Sequence, residues 1–306
     1  MVKKRKKKTA SKKTKKNSSS IYIKFLAVGI LILGLIFIIT ATKYHSVKTP
    51  PETEKTEVKK LPAEIKKQLE SKIPLATFKI PILMYHYVEY VTDKKDTIRQ
   101  SLNINPYIFE QQIKTLKDAG YTFLTAKELG DILDGKKQMP QKPVLITFDD
   151  GHWDLYTYVL PLLRKYDVKA TAYIISGFLN GSDFLSNQML LDLSSSGYFD
   201  IGAHTVNHAW LKDRPLEFVE KEVNQSKLEI ENLIHKPVVS FAYPYGAFDR
   251  QAEQVVKNDG FTTAVITVPG IDDSVTNRFF LFRIRPGGRT DGDLLNYLEQ
   301  TTFRPW

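Results

Sequence analysis

The chain has 306 residues, 42% of them hydrophobic and 25% charged, enough apolar content for one sizeable core and too much for a disordered chain. The formal net charge of +10 does not argue for a nucleic-acid partner: residues 1–24 hold 11 Lys/Arg and no Asp/Glu, which leaves 33 basic against 34 acidic residues elsewhere. Cysteine is absent, so disulfides, a thiol nucleophile, a thiolate metal site and lipid attachment through a thiol are all excluded.

The basic tail of residues 1–20 abuts an apolar stretch from Ile21 to Ala41, broken only by the charge of Lys24. At roughly 1.5 Å rise per residue such a stretch spans about 30 Å of hydrocarbon. Its core from Phe25 to Ile39 is at the limit for a signal peptide and Thr40-Ala41-Thr42 is a poor cleavage site, so the stretch reads as an uncleaved transmembrane helix. The positive-inside rule leaves the tail in the cytoplasm and everything after Lys43 outside. Residues 42–75, rich in Lys, Glu, Pro and Thr, read as an extracytoplasmic stalk, and the catalytic domain is expected over residues 76–306.

From Ile80 onward strand-like and helix-like segments alternate, the pattern of an α/β domain with parallel strands. In chain order the pattern predicts a strand at Pro81–Val88, a helix from Asn105-Pro106 to Ala119, a strand at Tyr121–Leu124 and a helix at Thr125–Leu133. A strand at Val144–Phe148, a helix at Asp154–Tyr166 and a strand at Ala170–Ile175 follow, then a helix at Ser186–Ser195, a strand at Phe199–Ala203 and a long helix at Pro215–Ile234. The last units are a strand at Val238–Tyr243, a helix at Asp249–Asn258, strands at Thr262–Val268 and Phe279–Ile284, and a helix at Asp291–Gln300. Seven or so such units predict a (β/α) barrel, closed or nearly so.

The run Val144-Leu-Ile-Thr-Phe148 ends on Asp149, Asp150 and Gly151, so two carboxylates sit where a buried strand opens into a turn, the end at which barrel folds place chemistry. Asp-Asp-Gly is also ordinary turn chemistry. It gains meaning from His204-Thr-Val-Asn-His208, which opens after the strand Ile201-Gly-Ala203 and brings both imidazoles to one side if the segment turns helically. Asp150, His204 and His208 would make a three-ligand site for a divalent ion with positions open to water and substrate. Zinc is the default, and cobalt or manganese suits similar ligands. Asp149 is then the free carboxylate and the base, because a carboxylate consumed as a ligand is a poor proton acceptor. His152 and His235 read as solvated helix residues. Tyr243-Pro-Tyr-Gly246 reads as a constrained turn in which the Tyr245 N–H can aim at a developing oxyanion.

Taken together these residues resemble a known family. Thr147-Phe-Asp-Asp-Gly151, His204-Thr-Val-Asn-His208 and Pro244-Tyr-Gly246 are similar to the first three motifs of the polysaccharide deacetylases, carbohydrate esterases with the NodB-homology fold, over about residues 80–290. The resemblance implies a distorted (β/α) barrel that removes acetyl groups from polysaccharides with a divalent metal, Asp149 being the base and Asp150 a ligand. Two departures stand out: Ala242-Tyr243 replaces an arginine usual before the Pro-Tyr-Gly, and no histidine follows His235 to serve as the usual acid. Pro81-Ile-Leu-Met-Tyr-His86 resembles the opening motif of the poly-β-1,6-N-acetylglucosamine deacetylases of biofilm formation, whose barrel is circularly permuted. That likeness implies His86 as the acid. It also implies Arg283, in Leu281-Phe-Arg-Ile-Arg285, as a cation that keeps Asp149 ionised or orients it, with Arg285 as substitute.

Trp153, Trp210 and Tyr245 are candidates for stacking on sugar faces. The expected protein is a membrane-anchored monomer, without a nucleic-acid partner, that deacetylates N-acetylglucosamine units of a cell-surface polysaccharide. Peptidoglycan is the alternative substrate. A glycoside hydrolase is disfavoured, since its carboxyls would stand at least about 5 Å apart across the sugar, and a non-catalytic glycan-binding protein is the alternative of another class.

Overall fold

In the computed structural model the described residues are 77–91, 93 and 95–300; the basic tail, the apolar span and the stalk lie outside them. Among the described residues no helix is long and apolar enough to cross a membrane. The strands are β1 (Thr77–Lys79), β2 (Ile82–Tyr85), β3 (Tyr87–Val88), β4 (Asn103–Ile104), β5 (Thr122–Leu124), β6 (Pro143–Phe148), β7 (Ala170–Ile174), β8 (Phe199–Ala203), β9 (Ser240–Ala242), β10 (Thr263–Val265) and β11 (Asp272–Ser274). The helices are α1 (Thr97–Leu102), α2 (Pro106–Asp118), α3 (Ala126–Leu133), α4 (Leu160–Tyr166), α5 (Asn187–Ser195), α6 (Leu216–Ile234), α7 (Arg250–Asn258) and α8 (Asp291–Gln300).

Seven strands form one parallel sheet in the order β10-β9-β8-β7-β6-β2, with β5 pairing the first half of β6. Parallel pairing needs a crossover between strands, and the helices supply it. β6 is buried at all six positions, as expected of a parallel strand covered on both faces. Helix starts follow local chemistry: the Asn105 side chain accepts the Tyr107 N–H ahead of Pro106, and Thr125 with Glu128 forms a reciprocal capping box on α3.

The sheet curls into a half-barrel. Leu281–Ile284, expected as part of a full strand, makes single bridges to both sheet edges instead. Leu281 exchanges backbone hydrogen bonds with the β10 side, accepting from Ile266 at 2.9 Å and donating to Ala264 at 2.8 Å. Three residues on, Ile284 accepts from Met84 and donates to Ile82 of β2, both at 2.9 Å. The segment makes only one bridge to each edge, three residues apart, too little for a regular strand on either side, and Arg283 sits between the two bridges.

Strand alternation divides the core. Ile82, Leu145, Tyr173, Ala242, Val265 and Leu281 pack together on the concave face, beside Leu129 and Leu133 of α3. Leu83, Val144, Ile146, Phe148, Ala172 and Phe241 point the other way, into the layer under the outer helices. The period of two carries Leu145, Thr147 and Asp149 along the concave face, so the first aspartate enters the interior.

Three further differences from expectation concern short elements. The helix expected at Asp154–Tyr166 begins as a π-helical turn, Leu155–Val159. Strand β1 pairs antiparallel with β11, and β3 pairs parallel with β4. Pieces of two or three residues carry no periodicity and exist only because a partner lies alongside.

Candidate metal centre

Asp150 has a left-handed backbone, φ 73°, a conformation that costs an ordinary residue roughly 1–3 kcal/mol. The reversal of chain direction turns two consecutive carboxylates toward one pocket, where an extended chain would have sent them to opposite faces. Gly151 continues the turn at φ 81°, and a Cβ there would lie 3.0 Å from the Ile174 Cδ1. Thr205, His208 and Tyr245 also have positive φ, at 65°, 53° and 60°, so strained backbone gathers at this one site.

His204 follows the last residue of β8, but the segment to His208 is an irregular turn and not the expected helical one. Glu222 on α6 holds it. One of its carboxylate oxygens accepts the Val206 and Asn207 N–H groups at 3.0 Å each, and the other accepts the Asn207 side-chain amide at 2.8 Å. The two imidazole centroids end up 4.9 Å apart.

Asp150, His204 and His208 each offer one ligand atom within 4.8 Å of the others. Asp150 Oδ1 is 3.5 Å from His204 Nε2 and 3.4 Å from His208 Nε2. The His204 Nδ1–H donates to the Ala242 carbonyl at 2.7 Å, since a carbonyl can only accept, and in the neutral ring this leaves Nε2 as a lone pair. Burial, followed by the neighbouring His204 charge, pushes His208 down to about 4, so it is a neutral acceptor at pH 7, whereas burial of His204 is overcome by the hydrogen bond and charge of Asp150, which raise it. Asp150 Oδ1 is buried with no hydrogen-bond partner. Converging acceptors around an unsatisfied buried oxygen suit a divalent cation, and a carboxylate with two imidazoles is a donor set for zinc and its neighbours.

Asp149 is held differently. Arg283 donates from Nη1 to its Oδ1 and from Nη2 to its Oδ2, both at 2.6 Å. The guanidinium also donates to the Ile266 carbonyl at 2.9 Å and the Thr147 hydroxyl at 3.2 Å. Burial alone would raise Asp149, but the charge and hydrogen bonds of Arg283 outweigh it and hold the carboxyl below its usual range. The expected arginine is therefore Arg283; Arg285 is exposed at the surface. His86 Nε2 lies 4.0 Å from Asp149 Oδ2, and burial lowers this imidazole despite both nearby carboxylates.

At the rim, Tyr245 places its ring 4.5 Å from His208 and 6.0 Å from Trp210. Its carbonyl accepts from the Thr267 hydroxyl at 3.0 Å, and a Cβ on Gly246 would meet that hydroxyl at 2.5 Å. The Tyr245–Gly246 peptide is thereby fixed. Trp210 and Tyr245 are largely exposed, while Trp153 is half-buried against Tyr158.

His152 corrects an expectation, for it is buried and not solvated. Its ring stacks between Tyr87, centroids 3.9 Å apart, and Phe184 at 4.9 Å. Nδ1 contacts the Asp183 carbonyl at 3.2 Å, and Nε2 lies 3.4 Å from the outer Asp150 oxygen, Oδ2. Arg99 lies over the other face of Tyr87 at 4.6 Å and binds the Asp183 carboxylate at 2.9 Å. His235 is exposed at the left-handed end of α6, as expected.

A family model described as polysaccharide deacetylase matches residues 136–264, which contain both aspartates and the two candidate histidine ligands. The solved structure of the Streptococcus pyogenes deacetylase PplD, in complex with acetate, is 30% identical, with a TM-score of 0.66 over 74% of this chain and 99% of that one. The chain belongs to the polysaccharide deacetylase family. It is accordingly a hydrolase of carbon–nitrogen bonds. A Bacillus cereus polysaccharide deacetylase of known structure is also 30% identical, with a TM-score of 0.62 over 72% of this chain and 69% of that one. The poly-β-1,6-N-acetyl-D-glucosamine N-deacetylase of Staphylococcus aureus is 24% identical over 254 residues, 78% of this chain and 84% of that protein.

For this polysaccharide deacetylase, sequence reading missed Glu222 and misjudged His152. Glu222 left a trace: it lies on the stripe Val219, Val223, Ser226 and Ile230 that α6 buries, and a charge on an apolar stripe asks for a partner. His152 left none, because its surroundings come from three separate segments.

Proposed function

We propose that this polysaccharide deacetylase removes acetyl groups from N-acetylglucosamine units of a cell-surface polysaccharide of the poly-β-1,6-linked kind, using a divalent metal, by preference zinc. The observation that carries the reading is the juxtaposition of the Asp150, His204 and His208 ligand set with a second carboxylate, Asp149, that Arg283 keeps ionised. The linkage preference draws on the Staphylococcus aureus relative and on His86 lying beside Asp149.

A metal held by Asp150, His204 and His208 would supply Lewis acidity toward the acetyl carbonyl and a water. Asp149 takes the proton of the attacking water. Arg283 holds the plane of that carboxylate and keeps its charge in place before the proton arrives. The Tyr245 N–H steadies the oxyanion of the tetrahedral state, on a residue whose carbonyl Thr267 holds on the other side. His86 delivers a proton to the departing amine, and its 4.0 Å separation from Asp149 gives that proton a short route. Tyr245 and Trp210 offer aromatic faces to the sugar.

In the same reading residues 21–41 anchor the protein in the cell membrane, and the monomeric domain works outside it. Acetate release by the purified protein on acetylated β-1,6-linked oligomers is the test, with metal stripped by chelator and then restored. Loss on stripping and recovery on restoration are expected. Full activity in protein shown to be metal-free overturns the metal dependence, and release from purified cell wall but not from the oligomers moves the substrate to peptidoglycan.

A further inference from the structure

A second surface feature lies outside the metal centre. An open groove of about 260 Å³ is walled by Tyr90, by Tyr107 and Glu110 of α2, by Thr157 and Tyr158 of the π-helical turn, and by Pro161. Tyr90 and Tyr107 are 57% and 60% exposed, and two tyrosine rings flanking one concavity leave their apolar faces uncovered. Glu110 accepts through one oxygen, Oε1, from Lys165 at 2.5 Å and Tyr166 at 2.9 Å, so its charge is already paired with a cation. Its polar character comes from hydroxyls, which both donate and accept.

The groove is joined to the catalytic centre through aromatic neighbours. Tyr90 meets Tyr158 edge to face with centroids 5.9 Å apart, and Tyr158 is 6.1 Å from Trp153. The next residue back is His152, in contact with Asp150. Single π-helical turns are frequent at functional sites, and here that turn supplies Thr157 and Tyr158 to the wall. Flat aromatic faces beside hydroxyls match a pyranose ring, whose axial hydrogens make an apolar face and whose rim is hydroxylated.

We propose that this groove is a distal subsite that binds a sugar ring of the acetylated polysaccharide some units away from the one being deacetylated. The inference rests on the proposed function, and it assigns the groove to substrate length and not to chemistry. A polymer would touch both places at once, so long oligomers gain from the second contact by effective concentration while short ones cannot reach it.

The experiment measures kcat/KM of the full chain on short and long acetylated β-1,6-linked N-acetylglucosamine oligomers, for wild type, Tyr107→Ala and Tyr90→Ala. Both rings are exposed, so folding is not at risk, and circular dichroism confirms it. The expected result is a long-over-short advantage in wild type that falls on the order of tenfold in the variants, the size of an aromatic contact. An undiminished advantage in both variants overturns the proposal. Equal wild-type rates on short and long oligomers overturn it too while leaving the proposed function standing. Absence of acetate release from every oligomer removes the function and the subsite together. Binding of a proline-rich peptide that Tyr107→Ala abolishes, with the length dependence intact, reassigns the groove to a protein partner.

Discussion

Arg283 grips both oxygens of Asp149 at 2.6 Å, with the arginine 0% and the aspartate 1% exposed. Removing one member of such a buried pair leaves an uncompensated charge and typically costs about 3–5 kcal/mol. Arg283→Met should lower stability by about that much in urea unfolding, and acetate release should fall at least as steeply. The sign of the pH effect follows from the depressed Asp149 value: the stabilisation is complete above the unfolded carboxyl pKa, about 3.9, and disappears as pH falls through the lower folded one. Wild type should therefore lose stability below about pH 4 more steeply than Asp149→Asn does.

Asp149→Asn removes the proposed base and leaves the three proposed ligands. Turnover should drop by about 10²–10⁴-fold, the range for general base catalysis, while cobalt or zinc binding by calorimetry stays near the wild-type value. Normal turnover in this variant would refute the assignment of the base. His86→Ala should lower kcat in the same range if it is the acid; unchanged acetate release would point to solvent as the proton donor.

His152 borders the outer oxygen of Asp150 at 3.4 Å, and neighbours of metal ligands commonly tune affinity by about 10–100-fold. His152→Phe keeps a ring in the stack between Tyr87 and Phe184 but has no nitrogen to face the carboxylate. Metal affinity should fall within that range, and the visible spectrum of the cobalt-loaded protein should shift. A variant that binds cobalt with wild-type affinity and spectrum would reduce His152 to packing.

Asp154 is buried, accepts the Val88 N–H through Oδ2, and leaves Oδ1 without a partner. Burial pushes it up to about 6. An acid raised on folding is penalised wherever the unfolded chain is already ionised, so wild-type stability should improve as pH drops from above 6 toward 4. Asp154→Asn keeps an oxygen for Val88 and carries no charge. It should be more stable than wild type at pH 8, by on the order of 2–3 kcal/mol, with the gap closing near pH 4. A constant gap across that range would show that the carboxyl is not the cause.

The chemistry of the site was legible because its residues sit at strand ends: Asp149 and Asp150 after β6, His204 after β8 and His86 after β2. Burial and period-two alternation are written in the local sequence, and so is the turn that each aspartate or histidine opens. Arg283 was reached through likeness to a family, since nothing local distinguishes it from Arg285; only the curl of the sheet decides which faces inward. The positive φ of Asp150 and His208 was not legible, because ordinary residues adopt it only when surrounding contacts enforce it. His152 was misread for a related reason. Its neighbours Tyr87, Arg99 and Phe184 come from sequence positions up to 65 residues away, and no short window holds them together.

The two bridges made by Leu281 and Ile284 hold Arg283 beside a carboxylate that lies 134 residues earlier in the chain. A chain emerging from the ribosome carries both aspartates long before it carries the cation that ionises the first of them. The charge of Asp149 is thus coupled to the bridging segment: until that segment has reached both edges of the sheet, the carboxyl lies in an apolar interior without its cation, where the neutral acid is favoured.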